Sequence, residues 1–161
     1  MTEARRPRPR SAGIVLYRHL AGELQVLLVH PGGPIWARRD LGAWSIPKGE
    51  HESDEEPLAA ARREFEEELG SPAPADAPLE LGEIRQRSGK LVRAWAVAGD
   101  LDAGQIHSNS FELEWPPRSG TIRVFPEVDR AQWFGLREAG EKINPAQVAL
   151  LERLAREAGS G

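Results

Sequence analysis

The sequence predicts an α/β domain, and three observations lead to that prediction. Two apolar segments, 11–18 and 24–30, flank a short polar turn, and the second is rich in valine and leucine, which favours a buried β-hairpin. Apolar residues recur at helical spacing behind Pro57, and a second helix is predicted from Pro145, with Asn144 as its cap. Further strand candidates lie between the two helices at 79–84, 91–98 and 122–125.

Length and composition indicate a single domain. The chain has 161 residues, of which 40% are hydrophobic and 29% charged, as expected for an ordinary globular protein. No apolar run approaches the roughly 20 residues of a membrane-spanning helix, so we expect no membrane partner. The absence of cysteine excludes disulfides and thiolate ligands and is compatible with a cytoplasmic location. Residues 1–10, with four arginines and two prolines, are expected to form a flexible basic arm before a domain at 11–161.

The first predicted helix carries three glutamates on one face. At about 100° per residue, Glu64, Glu67 and Glu68 fall within one narrow arc. Like charges at such spacings destabilise an isolated helix by roughly 0.2 to 0.5 kcal/mol per pair, so the cluster favours a compensating cation. Arg62 and Arg63 supply part of that charge, and a divalent ion with carboxylate ligands is the stronger candidate. The neighbouring arc is apolar and is expected to pack on the core: Leu58, Ala61, Phe65 and Leu69.

The ends of this helix also have sequence signals. Ser53 with Glu56 three residues later matches a capping box, which predicts that the helix starts at Ser53. Pro57 is then tolerated because it lies in the first turn. Gly70 is placed to end the helix.

The helix and the turn before it resemble the Nudix box, the signature of the Nudix hydrolases. The pattern has many fixed positions and fixed gaps, which makes it far more specific than a short motif. Ser71 departs from it, because the last box position is apolar in the family. The residues that match in type and spacing are Gly49, Glu55, Arg63, Glu64, Phe65, Glu67, Glu68 and Gly70.

This resemblance implies a fold, an activity and a cofactor. The fold is an α/β/α sandwich around a central mixed β-sheet, and the activity is hydrolysis of a nucleoside diphosphate linked to another group. The implied cofactor is Mg²⁺ or Mn²⁺, which neutralises the charge of the pyrophosphate. Its candidate ligands are the carboxylates of Glu64, Glu67 and Glu68 and the backbone carbonyl of Lys48, and Glu64 and Glu67 are also candidate catalytic residues. The other box residues are expected to be structural, with Arg63 pairing with an acid such as Glu55: Gly49, Glu55, Arg63 and Gly70.

A general base outside the box is common in the family, and its position varies. If residues 111–115 are extended, Glu112 and Glu114 share one face of the strand, opposite three apolar side chains. We therefore predict one of these glutamates as the base, with a slight preference for Glu114. An amphipathic edge strand with two solvated acids explains the same alternation equally well.

Two regions are candidates for substrate binding. The Trp-Ser-Ile-Pro-Lys-Gly run that includes Lys48 is similar to the run before the box in dinucleoside polyphosphate and diphosphoinositol polyphosphate hydrolases, so Lys48 is expected to bind a phosphate chain. In the glycine- and proline-rich loop that follows the hairpin, Trp36 is a candidate for stacking a base, and Arg38 and Arg39 for binding phosphates. Packing of Trp36 under its own loop remains open. Arg118, after two prolines, is a further candidate phosphate contact.

The prediction is a metal-dependent pyrophosphohydrolase whose substrate is a dinucleoside polyphosphate or a related small nucleotide. A first alternative is hydrolysis of the phosphorylated 5′ end of RNA, with the basic arm and a stacking tryptophan as contacts. A second alternative is a catalytically silent nucleotide-binding module. Isopentenyl diphosphate isomerases share the fold but use a cysteine, which this chain lacks. The sequence does not predict the oligomeric state.

Overall fold

A computed structural model of the chain describes residues 10–158. Two short 3₁₀ turns, at Ala103–Gln105 and Pro145–Gln147, join the regular elements. The helices are α1 (Pro57–Leu69), α2 (Leu136–Lys142) and α3 (Val148–Ala158). The strands are β1 (Arg10–Leu20), β2 (Glu23–Pro31), β3 (Lys48–Glu50), β4 (Leu79–Arg85), β5 (Leu91–Ala98), β6 (Ser110–Glu114), β7 (Ile122–Pro126) and β8 (Val128–Gly135).

The central sheet is mixed. Its strand order is β4-β5-β1-β2-β8, with β3 pairing with one end of β1. β1 and β5 are parallel, whereas the other pairs in the sheet are antiparallel. β6 and β7 form a separate two-stranded hairpin that leads directly into β8.

Helices cover both faces of the sheet. On one face, Phe65 and Leu69 of α1 pack in a buried cluster with side chains of β1, β2 and β5. On the other face, Leu150 and Leu154 of α3 pack in a second cluster with Trp44 and with further residues of the same strands. This arrangement confirms the predicted α/β/α sandwich with a central mixed sheet. Within residues 10–158, no helix is both long and apolar enough to cross a membrane.

One feature of the sheet creates room for the site. β1 pairs with β2 only over Tyr17–Leu20, and at its other end it pairs instead with β3 through Ser11, Ala12 and Gly13. A single bridge joins Val29 of β2 to Ser45. The segment 45–50 is therefore inserted between β1 and β2 at one end of the sheet, and we call this end the open end.

Gly13 and Gln147 hold the inserted segment in place. A Cβ on Gly13 would lie 2.7 Å from the carbonyl oxygen of Pro47, so only glycine allows this approach. Gln147 is fully buried, and its Oε1 accepts a hydrogen bond from Ile46 N at 3.0 Å while its Nε2 donates to Ser45 Oγ at 3.0 Å. The residues just before the box are thus fixed from both sides.

The structure agrees with most elements predicted from the sequence and adds three. The helix predicted from Pro145 starts instead with a 3₁₀ turn, which Asn144 caps by accepting a hydrogen bond from Ala146 N at 3.0 Å, and α3 begins at Val148. β3, β8 and α2 were not predicted. The predicted basic arm lies outside the described residues except for Arg10, which is the first residue of β1.

Candidate active site

The catalytic helix candidate is α1, and its cap differs from the prediction. The predicted capping box at Ser53 is wrong, because the helix begins at Pro57 and its N-cap is Glu56. The side chain of Glu56 accepts hydrogen bonds from Leu58 N at 3.2 Å and from Ala59 N at 2.9 Å. A residue that precedes proline is disfavoured in the helical region, and Glu56 has an extended backbone with ψ of 127°. The helix therefore cannot start before Pro57.

The C-terminal end of α1 agrees with the prediction. Gly70 has φ of 81°, in the left-handed region, and its N–H donates to Glu66 O at 2.7 Å. A side chain at this position would also collide with the segment that crosses the helix end, because a Cβ would lie 2.6 Å from His107 O. Gly70 thus both ends the helix and permits this crossing.

Arg63 is the centre of an ion-pair network on the exposed side of α1. Its Nε and Nη2 donate to the two carboxylate oxygens of Glu55, each at 2.9 Å. Its Nη1 donates to Glu64 at 2.9 Å and to Glu67 at 3.2 Å. These bonds hold the pKa of Glu55 below its ordinary value. The pairing of Arg63 with Glu55 that the sequence predicts is present, and it anchors the box loop to the helix.

Gly49 allows Glu64 to lie against the backbone of β3. A Cβ built on Gly49 would be 2.1 Å from both Cδ and Oε2 of Glu64. Burial raises the pKa of Glu64, and the charge of Glu67 adds to this effect, while the bond from Arg63 opposes it. Glu64 is therefore a partly desolvated carboxylate held directly over the inserted segment.

Glu68 is the most deeply buried acid of the box. Burial raises its pKa to about 8, the charge of Glu64 acts in the same direction, and the nearby charge of Lys48 opposes the shift. Its Oε2 is buried and has no hydrogen-bond partner within the described part of the chain. A buried oxygen without a partner is costly, and a hard divalent cation is a group that satisfies it.

The carboxylates of the three box glutamates do not converge on a common centre. Among residues 10–158, no group of three His, Cys, Asp or Glu side chains converges closely enough to hold a metal ion. Arg63 bonds to both Glu64 and Glu67 and so occupies part of the space between them. The donor set is nevertheless suited to Mg²⁺ or Mn²⁺, because carboxylate oxygens are the ligands that these ions prefer. The unpartnered oxygen of Glu68 supports the same fit.

Lys48 lies beside this carboxylate group. It belongs to β3 and pairs with Gly13. Burial lowers the pKa of its ammonium group, as does the charge of Lys90, while Glu68 and Glu64 act in the opposite direction. Its positive charge is thus the one that most strongly opposes the raised pKa of Glu68. The role of its backbone carbonyl as a ligand stays a prediction.

The structure brings a fourth acid, Glu127, to the box. Glu127 is the residue between β7 and β8, and its negative charge contributes to the raised pKa of both Glu64 and Glu68. The sequence analysis did not single it out. It follows a proline and precedes a strand that was itself not predicted, so no local pattern marks it as part of a site.

Backbone hydrogen bonds fix Glu127 to the catalytic helix. Asn109 N donates to Glu67 O at 2.8 Å, and Glu127 N donates to Asn109 O at 2.8 Å. Gly32 N, at the end of β2, donates to Glu127 O at 2.9 Å. Ser108 Oγ adds bonds to both the carbonyl and the amide of Val128. Glu127 is therefore positioned by the end of α1 and by the end of β2.

The two glutamates predicted as the base lie on the exposed face of β6. β6 has the predicted alternation: Glu112 and Glu114 are exposed, and Phe111 and Leu113 are half-buried on the other face. Their cross-strand neighbours are Val124 and Ile122, which are also exposed. Neither glutamate forms an ion pair within residues 10–158, and the role of either one as the base stays a prediction.

An apolar cleft of about 320 Å³ opens beside Glu127. One wall is the loop after β2, with Ile35 and Trp36, and the other is the inner face of β6, with Phe111 and Leu113. Trp36 is 37% exposed, so its ring is available at the cleft surface. An apolar cleft with one acid at its edge has the composition of a site for a small ligand with a planar group.

The loop that carries Trp36 is anchored to the core. His30 is fully buried, and its ring nitrogens form hydrogen bonds with Arg39 O at 2.6 Å and Asp129 Oδ1 at 2.9 Å. The guanidinium of Arg39 lies 5.3 Å from the centre of the Trp36 ring, a cation–π distance. The positive charge of Arg39 therefore lies beside the Trp36 ring at the edge of the cleft.

The other predicted phosphate contacts are exposed. Arg38 belongs to the same loop as Trp36 and is exposed. Arg118 lies in the turn of the β6–β7 hairpin, with φ of 60°. The turn follows the Glu114–Ile122 pair, whereas Glu127 follows the opposite end of the hairpin. About four residues of strand, roughly 13 Å, therefore separate Arg118 from the box side.

Comparison with known proteins agrees with the box. The chain matches the NUDIX domain over residues 7–154. It belongs to the Nudix family. Nudix hydrolases act on phosphoanhydride bonds and generally use divalent metals such as Mg²⁺. The predicted family and the predicted enzyme class are therefore confirmed.

Individual relatives differ in what their names state. The chain is 33% identical over 132 residues to an RNA pyrophosphohydrolase from Acidiphilium cryptum, a match that covers 74% of this chain and 77% of that protein. It is 28% identical over 138 residues to an octanoyltransferase from Myxococcus xanthus, covering 85% of this chain. The match spans only 34% of the length of the octanoyltransferase.

Solved structures share the fold. An Ap4A hydrolase from C. elegans, solved as a binary complex, superposes with a TM-score of 0.64 and is 22% identical. The match covers 95% of this chain and 99% of the hydrolase. At this level of identity the comparison supports the Nudix fold and leaves the substrate to be argued from the site.

Proposed function

We propose that this Nudix protein is a metal-dependent pyrophosphohydrolase that acts on dinucleoside polyphosphates. The observation that carries the proposal is the position of Glu127, which lines the apolar cleft, is tied to Glu67 O through backbone hydrogen bonds of Asn109, and is near enough to Glu64 and Glu68 for its charge to raise their pKa. A nucleoside bound in the cleft thus extends its phosphate chain across the box.

The box supplies the ligands for the metal. Glu64, Glu67 and Glu68 hold Mg²⁺ or Mn²⁺ through their carboxylates, with the carbonyl of Lys48 as a further ligand. When bound, the ions neutralise the phosphate charge and acidify water. Arg63 balances the charge of Glu64 and Glu67 and fixes their direction along the helix.

Glu127 is the best-placed residue to accept a proton from the attacking water. It is the acid that lies both beside the box and at the cleft, so it faces the bond between the bound nucleoside and the rest of the substrate. The water oxygen forms a new bond to one phosphorus of a P–O–P linkage, and the proton of the water passes to Glu127. The bond from that phosphorus to the bridging oxygen breaks, and the other phosphate leaves with this oxygen. Glu112 and Glu114 remain predictions for this role, but they lie on the face of β6 opposite to Phe111 and Leu113, which line the cleft, and this supports them less.

The cleft side binds the nucleoside. Trp36 stacks on the base, while Phe111 and Leu113 cover the other side of the ring. Arg39 and Arg38 contact the phosphate nearest to the nucleoside, and Lys48 contacts the chain where it crosses the box. Arg118 belongs to the same hairpin as Phe111 but lies at its far end, so it is the weakest of the proposed contacts.

Product analysis tests the proposal. The protein is incubated with Mg²⁺ or Mn²⁺ and with diadenosine tetraphosphate, ADP-ribose, nucleoside triphosphates or triphosphorylated RNA. ATP with AMP, formed from the tetraphosphate, is the expected result. Glu67→Gln should reduce the rate by about 10²-fold or more, because the loss of a metal ligand removes charge stabilisation.

Glu66→Gln is the matched control, because Glu66 is exposed on the same helix. It should leave the rate unchanged. Retention of activity by Glu67→Gln within a few fold of the wild type would contradict the role of the box. No turnover of any compound in the panel would favour a silent binding module.

The relative from Acidiphilium cryptum, named as an RNA pyrophosphohydrolase, supports a second candidate function. In that case the substrate is the triphosphorylated 5′ end of an RNA. The rate would then increase with RNA length, because a basic protein surface gains contacts with each added phosphate. Equal rates on a nucleoside triphosphate and on a long RNA would exclude this candidate.

A further inference from the structure

A group of basic residues lies at the open end of the sheet, on the side away from the cleft. Arg10 begins β1, Arg85 ends β4, and Lys90 directly precedes β5. Arg10 pairs with Leu91 in the β1–β5 register, and Leu91 pairs with Arg85 in the β4–β5 register. The three basic residues are therefore near neighbours, and we call them the basic edge.

Arg10 and Arg85 of the basic edge face the same side of the sheet as α1, whereas Lys90 directly precedes Leu91 and by alternation faces the other side, where it pairs with Glu50. Ala12 and Ile14 of β1 and Trp95 of β5 pack in the same cluster as α1. Because side chains alternate along a strand, Arg10 and Leu91 point to that side as well. Arg85 is directly opposite Leu91 in an antiparallel pair and shares its face.

Direct contacts link this edge to the box. Lys90 Nζ lies 2.6 Å from Glu50 Oε1, and the charge of Lys90 contributes to the lowered pKa of Lys48. Arg63 Nη2 donates to the carbonyl of Glu50 at 3.5 Å. His51 N donates to Arg10 O at 3.1 Å. The edge is thus attached to the loop that carries the box.

The edge retains positive charge. Lys90 is paired with Glu50, and the neighbouring Arg93 is paired with Glu80. Arg10 and Arg85 are exposed and take part in no ion pair within the described part of the chain. The remaining acid on this face, Glu83, is opposite Arg93 in the register. Two arginines are therefore left to bind an external anion.

The order of the strands places the edge and the cleft on opposite sides of the box. At the open end the order is β4, β5, β1, the inserted segment with β3, β2 and β8. The cleft lies at the ends of β2 and β8, and the edge lies at β4, β5 and β1. At one strand spacing of about 4.8 Å per step, β5 and β2 are about 14 Å apart.

We infer that Arg10 and Arg85 bind the phosphates of the substrate that lie beyond the box, on the side away from the nucleoside in the cleft. The ligand class is an extended polyphosphate chain that carries a second nucleoside. Arginine is suited to this role because its planar guanidinium binds phosphate through two hydrogen bonds. The inference rests on the proposed function, because it assumes that a phosphate chain crosses the box.

A comparison of a long and a short substrate tests the edge. The double variant Arg10→Gln/Arg85→Gln is compared with Arg137→Gln/Arg156→Gln, which removes the same charge at exposed positions of α2 and α3. Binding of diadenosine tetraphosphate and of ADP-ribose is measured by titration calorimetry with Mg²⁺, in a Glu67→Gln background that slows turnover. Hydrolysis of both compounds is measured without the background change.

The edge variant should bind the tetraphosphate about tenfold more weakly and ADP-ribose almost unchanged, since two exposed charge-assisted contacts are lost. KM for the tetraphosphate should rise by a similar factor while kcat changes little, and the dependence of binding on salt should weaken. The control variant should affect both compounds equally and slightly.

Three results would overturn the inference. The edge and control variants could bind the tetraphosphate with equal affinity, or the edge variant could lose as much affinity for ADP-ribose as for the tetraphosphate. The third is that the protein with Arg10 and Arg85 intact does not bind the tetraphosphate. Failure of the proposed function gives a different result. In that case the wild type hydrolyses neither compound, while the length-dependent binding and its loss in the edge variant persist.

Discussion

Replacing Gly49 by alanine tests the geometry of the box most directly. The backbone of Gly49 is not in the left-handed region, so alanine is acceptable there on conformational grounds. The added Cβ would nevertheless lie 2.1 Å from Cδ and Oε2 of Glu64, whereas ordinary contacts begin at 3.4 Å. The carboxylate must therefore retreat by more than 1 Å.

The size of the expected effect follows from this displacement. Misplacement of a reacting group by 1 Å reduces the rate by about 10²-fold, so kcat/KM should fall by about that factor. The fold should survive, because the displaced atoms are the far end of a flexible side chain. Glu64 also loses its 2.9 Å bond to Arg63, which leaves the stronger contact of Arg63 with Glu55 in place.

The assay is the hydrolysis of diadenosine tetraphosphate over a range of Mg²⁺ concentrations, with the thermal midpoint measured in parallel. Gly140→Ala is the matched control, because a Cβ on Gly140 meets nothing within 4 Å. Its position inside α2 should raise stability by up to about 1 kcal/mol without changing the rate.

The Gly49→Ala variant should need more Mg²⁺ for half-maximal activity, since the ligand Glu64 is displaced. The reasoning fails if Gly49→Ala retains kcat/KM within about twofold of the wild type at every Mg²⁺ concentration, since a displacement of this size cannot be neutral at a metal ligand. A large loss of thermal stability together with activity would instead mean that the contact is structural.

Three further predictions follow from the site. Glu127→Gln should lower kcat by about 10²-fold or more, as expected for a general base, whereas Glu112→Gln and Glu114→Gln should change it little. If Glu112→Gln or Glu114→Gln lowered kcat far more than Glu127→Gln, the general base would be one of the hairpin glutamates. Without metal, the free energy of unfolding should decrease as pH rises from 4.5 towards about 8, because folded Glu68 keeps a proton that the unfolded chain has released. Thermal melts with a chelator measure this dependence, and Glu68→Gln should flatten it. An unchanged slope in the variant would contradict the burial of Glu68. Trp36→Ala should raise KM by about tenfold if the ring stacks on a base, as one stacking contact implies; an unchanged KM with a lower thermal midpoint would favour packing under its own loop.

The sequence predicted what local spacing determines. The positions of Glu64, Glu67 and Glu68 follow from the helical period, and the link between Arg63 and Glu55 follows from a box whose spacing is fixed. The β1–β2 hairpin was predicted because its apolar residues are continuous. Each of these features lies within a short stretch of chain.

The features that were missed depend on contacts between distant parts of the chain. Glu127 reaches the box because Asn109 bonds to the end of α1 and Gly32 bonds to Glu127, and no local pattern encodes these pairings. Ser53 was predicted as the N-cap of the helix because its spacing to Glu56 fits a capping box. The conformational restriction that Pro57 places on the residue before it decided the helix start instead.

Glu127 connects the two parts of the proposed site, the nucleoside cleft and the box. The carbonyl of Glu127 holds Gly32 at the base of the loop that forms one wall of the cleft, and its amide is held by Asn109, which also bonds to Glu67 O. A shift of the cleft wall is therefore transmitted to Glu127 and to the end of α1 through hydrogen bonds of the backbone. Under the proposed function, we expect these three bonds to couple nucleoside binding in the cleft to the alignment of the carboxylates at the box. The strand order would then direct the phosphate chain from the cleft, across the box, towards Arg10 and Arg85.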